Sequence, residues 1–399
     1  MSATGIELVD LVARWTHVIA GIMWIGNSLL FNWLDRNLLP AGSHPQTPRP
    51  IGTIWLLHSG GFYYVEKTLL EGAPVPAPLH WFKWQAYSTW WSGVVLLLAV
   101  YYLGGRAVLT DPGVAALSHS QGILVGAGAI LLGWALYEAM QRFVAPRAPG
   151  LAAAVWVAGL GGLAIALTQL LDGRAAFLHV GAMLGTIMAA NVVLTIVPSQ
   201  RALVATAAAG GGGGAELSSR AKRVSIHNNY FTFPVILLML SGHFPSLYSH
   251  PLSWLLLLVV IGGGAAVRHV LNIRFAFPAW RPALFATLAG TVAALYLILG
   301  TGGGPRPPAA AADPGTRVTL EEARHVIDRR CGACHSARQS DASFGPAPGG
   351  VTFDTPEQIL ARAARIRERA VVTRTMPPGN KTQITEAERA LLGRWAGQR

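Results

Sequence analysis

The sequence predicts an all-α chain in two parts: an eight-helix polytopic membrane domain over residues 1–300 and a small helical domain over 316–399, joined by a flexible linker at 301–315. Three observations predict it. Apolar stretches of about 20 residues recur through the long first part, the length that crosses ~30 Å of hydrocarbon. Basic residues crowd onto alternate loops. The only two cysteines stand together near the end, in Cys331-Gly332-Ala333-Cys334-His335.

A composition of 52 % hydrophobic and 13 % charged residues excludes an ordinary soluble enzyme. The eight apolar segments lie at roughly 8–34, 84–104, 120–141, 152–171, 175–198, 226–242, 252–273 and 282–300. The first is too long for a secretory signal peptide and lacks its basic start and small-residue cleavage site, so it reads as a helix. The sixth is short and holds Pro234, whose freed backbone partner neighbouring helices can satisfy. Loops after the first, third, fifth and seventh segments carry twelve Lys and Arg residues, among them Arg36, Lys67, Lys83, Arg142, Arg201 and Arg274. Loops after the second, fourth and sixth carry two, Arg106 and Arg174. Positive loops stay in the cytoplasm, which puts both termini outside and predicts a multi-pass protein of the bacterial inner membrane with a periplasmic tail. Anionic lipid of that bilayer accounts for the basic loops behind the net charge of +12, so no nucleic-acid partner is expected. The linker is rich in Gly, Pro and Ala, as flexible spacers are. A second insert, Gly210–Gly214, spaces two helices; no P-loop lysine and hydroxyl follow it.

The tail carries the sharpest motif. Cys-x-x-Cys-His is the attachment signature of a c-type haem: two thiols on one helical turn join the vinyl groups and the histidine becomes the proximal iron ligand. A structural zinc site takes four ligands, which leaves an ordinary Cys-x-x-Cys redox pair as the alternative. A first helix runs from about Leu320 into the motif, followed by an irregular stretch from Ser343 to Gly350. A helix begins near Thr355, with proline at its first turn, and the last begins near Thr385 ahead of Glu386 and Glu388. Between them, in Arg374-Thr375-Met376-Pro377-Pro378-Gly379-Asn380, Met376 offers a thioether on a proline-fixed loop. Its alternatives are sixth iron ligand and loop packing; a His/Met pair raises the potential, as an electron acceptor requires. Trp395 covers the haem or simply fills the core. Together these parts make a class I cytochrome c domain with one covalent haem c.

Ionisable residues inside a membrane are functional candidates by default. Following each segment across the bilayer gives an outer group of histidines (His17, His179, His243) and an inner group (His58, His227, His269). His17, His179, His243 and His269 are candidate ligands of an intramembrane haem b or a metal, although a lone helical histidine is more often hydrogen-bonded packing. The segment from Trp55 to Lys67 is too aromatic for a solvated loop and reads as re-entrant.

The segments His179–Asn191, Val224–Tyr230 and Leu57–Tyr63 resemble those of the bacterial membrane-bound urate oxidases, in which an eight-helix N-terminal domain precedes a cytochrome c. The resemblance covers essentially the whole chain. It implies an oxidoreductase of purine catabolism that converts urate to 5-hydroxyisourate, with electrons leaving through haem c to a soluble cytochrome c or a terminal oxidase. It does not extend to the soluble cofactor-free or the flavin-dependent urate oxidases, and no dinucleotide glycine fingerprint is present. Urate is a flat anion with donors and acceptors around its rim, so its recognition calls for amides, a guanidinium, an aromatic face and a base. The inner layer supplies Asn228, Asn229 and Arg268, with His227 or His58 as proton acceptor and Phe62 and Tyr63 as aromatic partners. The competing expectation is a membrane-anchored cytochrome c that serves a larger oxidoreductase complex as its electron-transfer subunit. A transporter is disfavoured by the lack of an evident inverted repeat.

Overall fold

A helix lies on each of the eight apolar segments. The computed structural model describes residues 3–40, 50–68, 75–103, 109–111, 114–209, 215–301, 318–341 and 347–398. The linker beyond Thr301, the Gly210–Gly214 insert and residues 342–346 of the Gly/Pro stretch lie outside the described residues. The long helices are α1 (Ala3–Asn37), α2 (Trp84–Leu96), α3 (His119–Ala139), α4 (Pro149–Leu170), α5 (Gly173–Ala190) and α6 (Val197–Ala208), then α7 (Ala215–Leu240), the single turn α8 (Pro245–Tyr248), α9 (Ser253–Ile273) and α10 (Trp280–Thr301). Among the described residues, six stretches are long and apolar enough to cross a membrane: Leu8–Asn37, His119–Val144, Pro149–Leu170, Gly173–Ala208, Ser253–Ile273 and Trp280–Thr301. The chain is thus compatible with a multi-pass membrane protein.

Local chemistry sets the helix starts. Ser118 and Gln121 form a reciprocal capping box at α3, Pro149 opens α4, and the Asp172 carboxylate caps α5 by accepting from the Arg174 amide at 3.0 Å. The fifth segment does not stop near Pro198 as expected. Wide i→i+5 turns over Asn191–Ile196 lead into α6, with Pro198 in its first turn, where the missing N–H and the ring are tolerated. The sixth segment likewise starts earlier than expected, at Ala215, and α7 continues through Pro234. Gly264 of α9 makes this possible by close approach: a Cβ there would stand 3.0 Å from the Pro234 nitrogen.

The all-α expectation needs one correction. Residues expected to form a re-entrant loop make an antiparallel hairpin, β1 (Pro50–His58) with β2 (Gly61–Thr68), paired from Pro50↔Thr68 to His58↔Gly61. Aromatic and β-branched residues favour the extended chain, and Ser59 (φ 50°) with Gly60 (φ 77°) supplies the left-handed pair that a two-residue turn demands. The hairpin is anchored to the end of α1 by Lys67–Asp35 at 2.6 Å and by a bridge between Leu39 and Thr53.

α5 is the axis of the bundle. An 18-residue window within Gly173–Ala208 is 61 % buried, whereas the corresponding window of none of the other five exceeds 33 %. Phe177, Val180, Met183, Leu184 and Ile187 are fully enclosed, among residues of α3, α4, α7 and α9. No side chain of α10 is fully buried, and the helix turns an apolar surface outward, including Phe285 and Tyr296, which suits hydrocarbon better than water.

The tail has its own core, built by α11 (Leu320–Arg330), the short α12 (Pro356–Leu360) and α13 (Ala363–Ile366), and α14 (Glu386–Gly397). Capping boxes Thr319/Glu322, Thr355/Gln358 and Thr385/Glu388 start α11, α12 and α14 where the sequence predicts them. Glu388 also takes the Arg330 Nε–H on both oxygens, at 3.1 and 3.0 Å, joining α11 to α14.

Two outcomes follow from this packing. A Cβ on Gly173 would lie 2.1 Å from the Tyr248 carbonyl oxygen, so Gly173→Ala lowers the unfolding midpoint of the detergent-solubilised protein at a cost of about 1–3 kcal/mol. Gly162→Ala, which meets nothing within 4 Å, does not lower it. Burial pushes the Glu388 carboxyl up, but the Thr385 amide and Arg330 hold it below its ordinary value of 4.5 on balance. Its stabilising contribution is therefore complete above that value and is lost as pH falls through the lowered one. Glu388→Gln flattens this acid limb in a pH titration of tail unfolding.

Candidate functional site

Four consecutive polar residues, His227-Asn228-Asn229-Tyr230, turn through roughly 100° per step around α7 and so face different neighbours. A run of this kind inside a bundle must find partners on several helices, and it does. On the side of α3 and α5, the Tyr137 hydroxyl lies 2.8 Å from His227 Nδ1. Asn191 Nδ2 donates to Tyr137 Oη at 3.0 Å and to Asn228 Oδ1 at 2.8 Å, while Asn228 Nδ2 donates to the Met188 carbonyl at 2.9 Å. On the side of α9, Asn229 Oδ1 accepts from Arg268 Nε at 2.8 Å and from Asn272 Nδ2 at 2.7 Å. Tyr230 Oη meets His269 Nδ1 at 2.7 Å.

The structure therefore gathers His227, Asn228, Asn229 and Arg268 on one stretch of α7 and its neighbours. It adds Tyr137, Asn191 and Asn272, with Trp156 edge-on to Tyr137 at 5.4 Å. Two features of the cluster are unresolved within the protein. Arg268 is 4 % exposed, and its guanidinium lies 5.4 Å from the Phe233 ring centroid. No carboxylate pairs with it among the described residues. Asn272 Oδ1 is buried with no donor. An unpaired buried charge costs several kcal/mol and an unmet acceptor about 1–3 kcal/mol, so the cluster favours an anion that also carries N–H groups.

His58 is not part of it. It sits exposed at the hairpin tip, and no hydrogen bond or ring contact joins it to His227 among the described residues. Phe62 and Tyr63 are exposed on the same hairpin. The remaining histidines are held singly. His17 Nδ1 donates to the Thr89 carbonyl at 2.9 Å, tying α1 to α2. His179 donates from Nδ1 to the Ala175 carbonyl at 2.7 Å, and its Nε2 lies 3.2 Å from the Tyr102 hydroxyl, which an iron or other metal there would displace. His243 and His269 are exposed, and no group of three or more His, Cys, Asp or Glu side chains forms a metal site among the described residues.

In the tail, Cys331 and Cys334 are free thiols on one turn, with the Cys334 and His335 amides donating to the Cys331 carbonyl at 3.2 and 2.9 Å. His335 Nδ1 donates to the Val351 carbonyl at 3.0 Å, which fixes the ring and leaves the Nε2 lone pair for a metal. Burial pushes the Cys331 thiol up to about 12, the opposite of the lowered value a thiol-exchange pair needs. These residues fit a covalently held haem. Met376 is pinned at its backbone: its amide donates to the Arg369 carbonyl at 3.0 Å, and its carbonyl accepts from Arg389 Nη1 at 3.0 Å. Arg389 also bonds the Ala370 carbonyl, and Trp395 lies in the core against which Cys331 packs. Arg389→Leu accordingly raises hydrogen–deuterium exchange over residues 370–380 while leaving residues 320–330 protected; equal exchange in both would remove Arg389 from this role.

The chain matches the urate oxidase N-terminal family over residues 3–299. No curated protein and no solved structure matches it. The match takes in every element that builds the Arg268 cluster and ends ahead of the haem-type motif. Covering well over half of the sequence, it places the chain in the urate oxidase N-terminal family, as a protein related to the urate oxidases.

Proposed function

We propose that the chain oxidises urate to 5-hydroxyisourate in purine catabolism, as a protein of the bacterial inner membrane. The observation that carries this reading is the buried, carboxylate-free Arg268 beside the unmet Asn272 oxygen. Urate supplies what both lack: a delocalised negative charge for the guanidinium and ring N–H groups for the amide oxygen. Asn229 orients both side chains by accepting from each. His227 is the proton acceptor. In the tautomer whose Nδ1–H donates to Tyr137 Oη, the Nε2 lone pair is left to take a proton from the purine ring. Tyr137 is in turn fixed by Asn191. The reaction balances as urate plus water giving 5-hydroxyisourate, two protons and two electrons. Water supplies the new oxygen at C5, and no oxygen molecule is consumed at this site.

The basic loops put the Arg268 end of α9 on the cytoplasmic side, where purine breakdown delivers substrate, and put residues 316–399 in the periplasm. Cys331, Cys334, His335 and Met376 would hold a haem c there, which supplies one-electron acceptor chemistry facing a soluble cytochrome c or a terminal oxidase.

Purified protein mixed with urate without oxygen tests the reading directly. Reduction of the haem c bands is expected from this chain alone; its absence until other subunits are added favours the electron-transfer-subunit alternative. Arg268→Gln is expected to cut kcat/KM for urate by at least 100-fold with the spectrum of the tail unchanged. His227→Ala is expected to lower kcat and flatten its pH profile. Cys331→Ala should keep urate binding and lose sustained turnover. Full turnover by the Arg268 variant would remove the cluster from the reaction.

A further inference from the structure

A cavity of about 340 Å³ opens between α1, residues 79–85 and α6, away from the Arg268 cluster. Part of its wall is aromatic, Trp24 on α1 with Trp81 and Phe82 ahead of α2, and the part made by residues 192–204 is aliphatic apart from Gln200. Phe82 is fixed edge-on, 5.1 Å from the Phe31 ring and 4.6 Å from His80. Six polar side chains line the same space, Asn27, Ser28, His80, Lys83, Gln85 and Gln200. The Lys83 ammonium is held over two rings, at 5.8 Å from Trp81 and 5.6 Å from Trp84, and pairs with no carboxylate among the described residues. The amides of Asn27 and Gln85 make no side-chain hydrogen bond among the described residues.

A concave, mainly apolar space with a few convergent polar groups is the usual form of a small-molecule site. The groups here select the occupant. Rigid rings on the walls call for a flat partner. The Lys83 ammonium and the amides of Asn27, Gln85 and Gln200 offer several N–H donors, so the partner's edge must carry acceptors. An aliphatic chain would offer those donors no acceptor. A divalent cation would meet an ammonium and no carboxylate.

We propose that this cavity is a second ligand site, for a planar ring bearing carbonyl acceptors. Two sources share this chemistry, an oxidised purine and a quinone headgroup. In the first case the cavity loads substrate on its way to the Arg268 cluster, which rests on the function proposed above; in the second it accepts a membrane-borne electron carrier and does not.

Calorimetric titration of the detergent-solubilised full chain separates these outcomes, with xanthine as the purine probe and a short-chain benzoquinone as the other. Binding of one probe is expected to weaken at least tenfold in Lys83→Gln, to weaken in Trp81→Leu, to persist in Lys83→Arg, and to be unaffected by Arg268→Gln. A shift confined to xanthine assigns the purine, and a shift confined to the benzoquinone assigns the quinone. If neither probe weakens in Lys83→Gln or Trp81→Leu while both variants keep the wild-type unfolding midpoint, the cavity is not a ligand site. If xanthine binding is lost in Arg268→Gln alone and benzoquinone binding does not depend on Lys83, this proposal falls and the urate site stands. Tight xanthine binding that ignores Arg268 but needs Lys83 supports the cavity and counts against the Arg268 placement.

Discussion

Polar side chains enclosed in an apolar bundle must find partners within it, and that constraint organises this protein around α7. Its run from His227 to Tyr230 points polar groups at more than one helix, so the helix is stable only when enclosed by partners that complement each direction. Tyr137 and Asn191 meet the first pair, and Arg268, Asn272 and His269 the second. The apolar shell that would serve any bundle, Phe177 to Ile187 on α5 with its neighbours, is here arranged around that requirement. Where the network closes on itself it serves structure. Where it leaves a guanidinium and an amide oxygen open, it defines a place for something else.

The tail works by the opposite logic. Its groups are near water, so local chemistry is enough: capping boxes start its helices, and a salt bridge between Arg330 and Glu388 fixes the first helix against the last. The loop carrying Met376 is held by a buried arginine that donates to two backbone carbonyls rather than to a carboxylate. A guanidinium with several N–H groups can hold two stretches of loop at once.

How much of this was legible in the sequence depended on how local each feature is. The helix starts at Thr319, Thr355 and Thr385 are written in four residues each and were readable. So was the cluster of His227, Asn228, Asn229 and Arg268, because polar residues stand out in an apolar span. Tyr137 did not stand out, since a tyrosine among Leu and Ala reads as ordinary core until its hydroxyl is seen to have partners. The hairpin was missed because aromatic residues beside a membrane suit a re-entrant loop as well as a ribbon, and the Ser59-Gly60 turn is a weak signal alone. Grouping His58 with His227 followed from their shared side of the bilayer, and sidedness does not specify distance. Lys83 registered only as a loop charge, because its setting between two indole rings is a matter of three-dimensional placement.

The wide turns at Asn191–Ile196 carry one more consequence. An i→i+5 turn amounts to an extra residue in a helix, and everything after it is rotated relative to everything before. Asn191, at the start of that turn, faces Tyr137 and Asn228, while Val192 and Ile196 line the cavity beside Lys83. The two places therefore share a single phase along one helix. Removing one residue from this stretch would restore an ordinary helix and swing both surfaces out of alignment together, so evolution can retune either place by substitution but can shift neither alone by changing length.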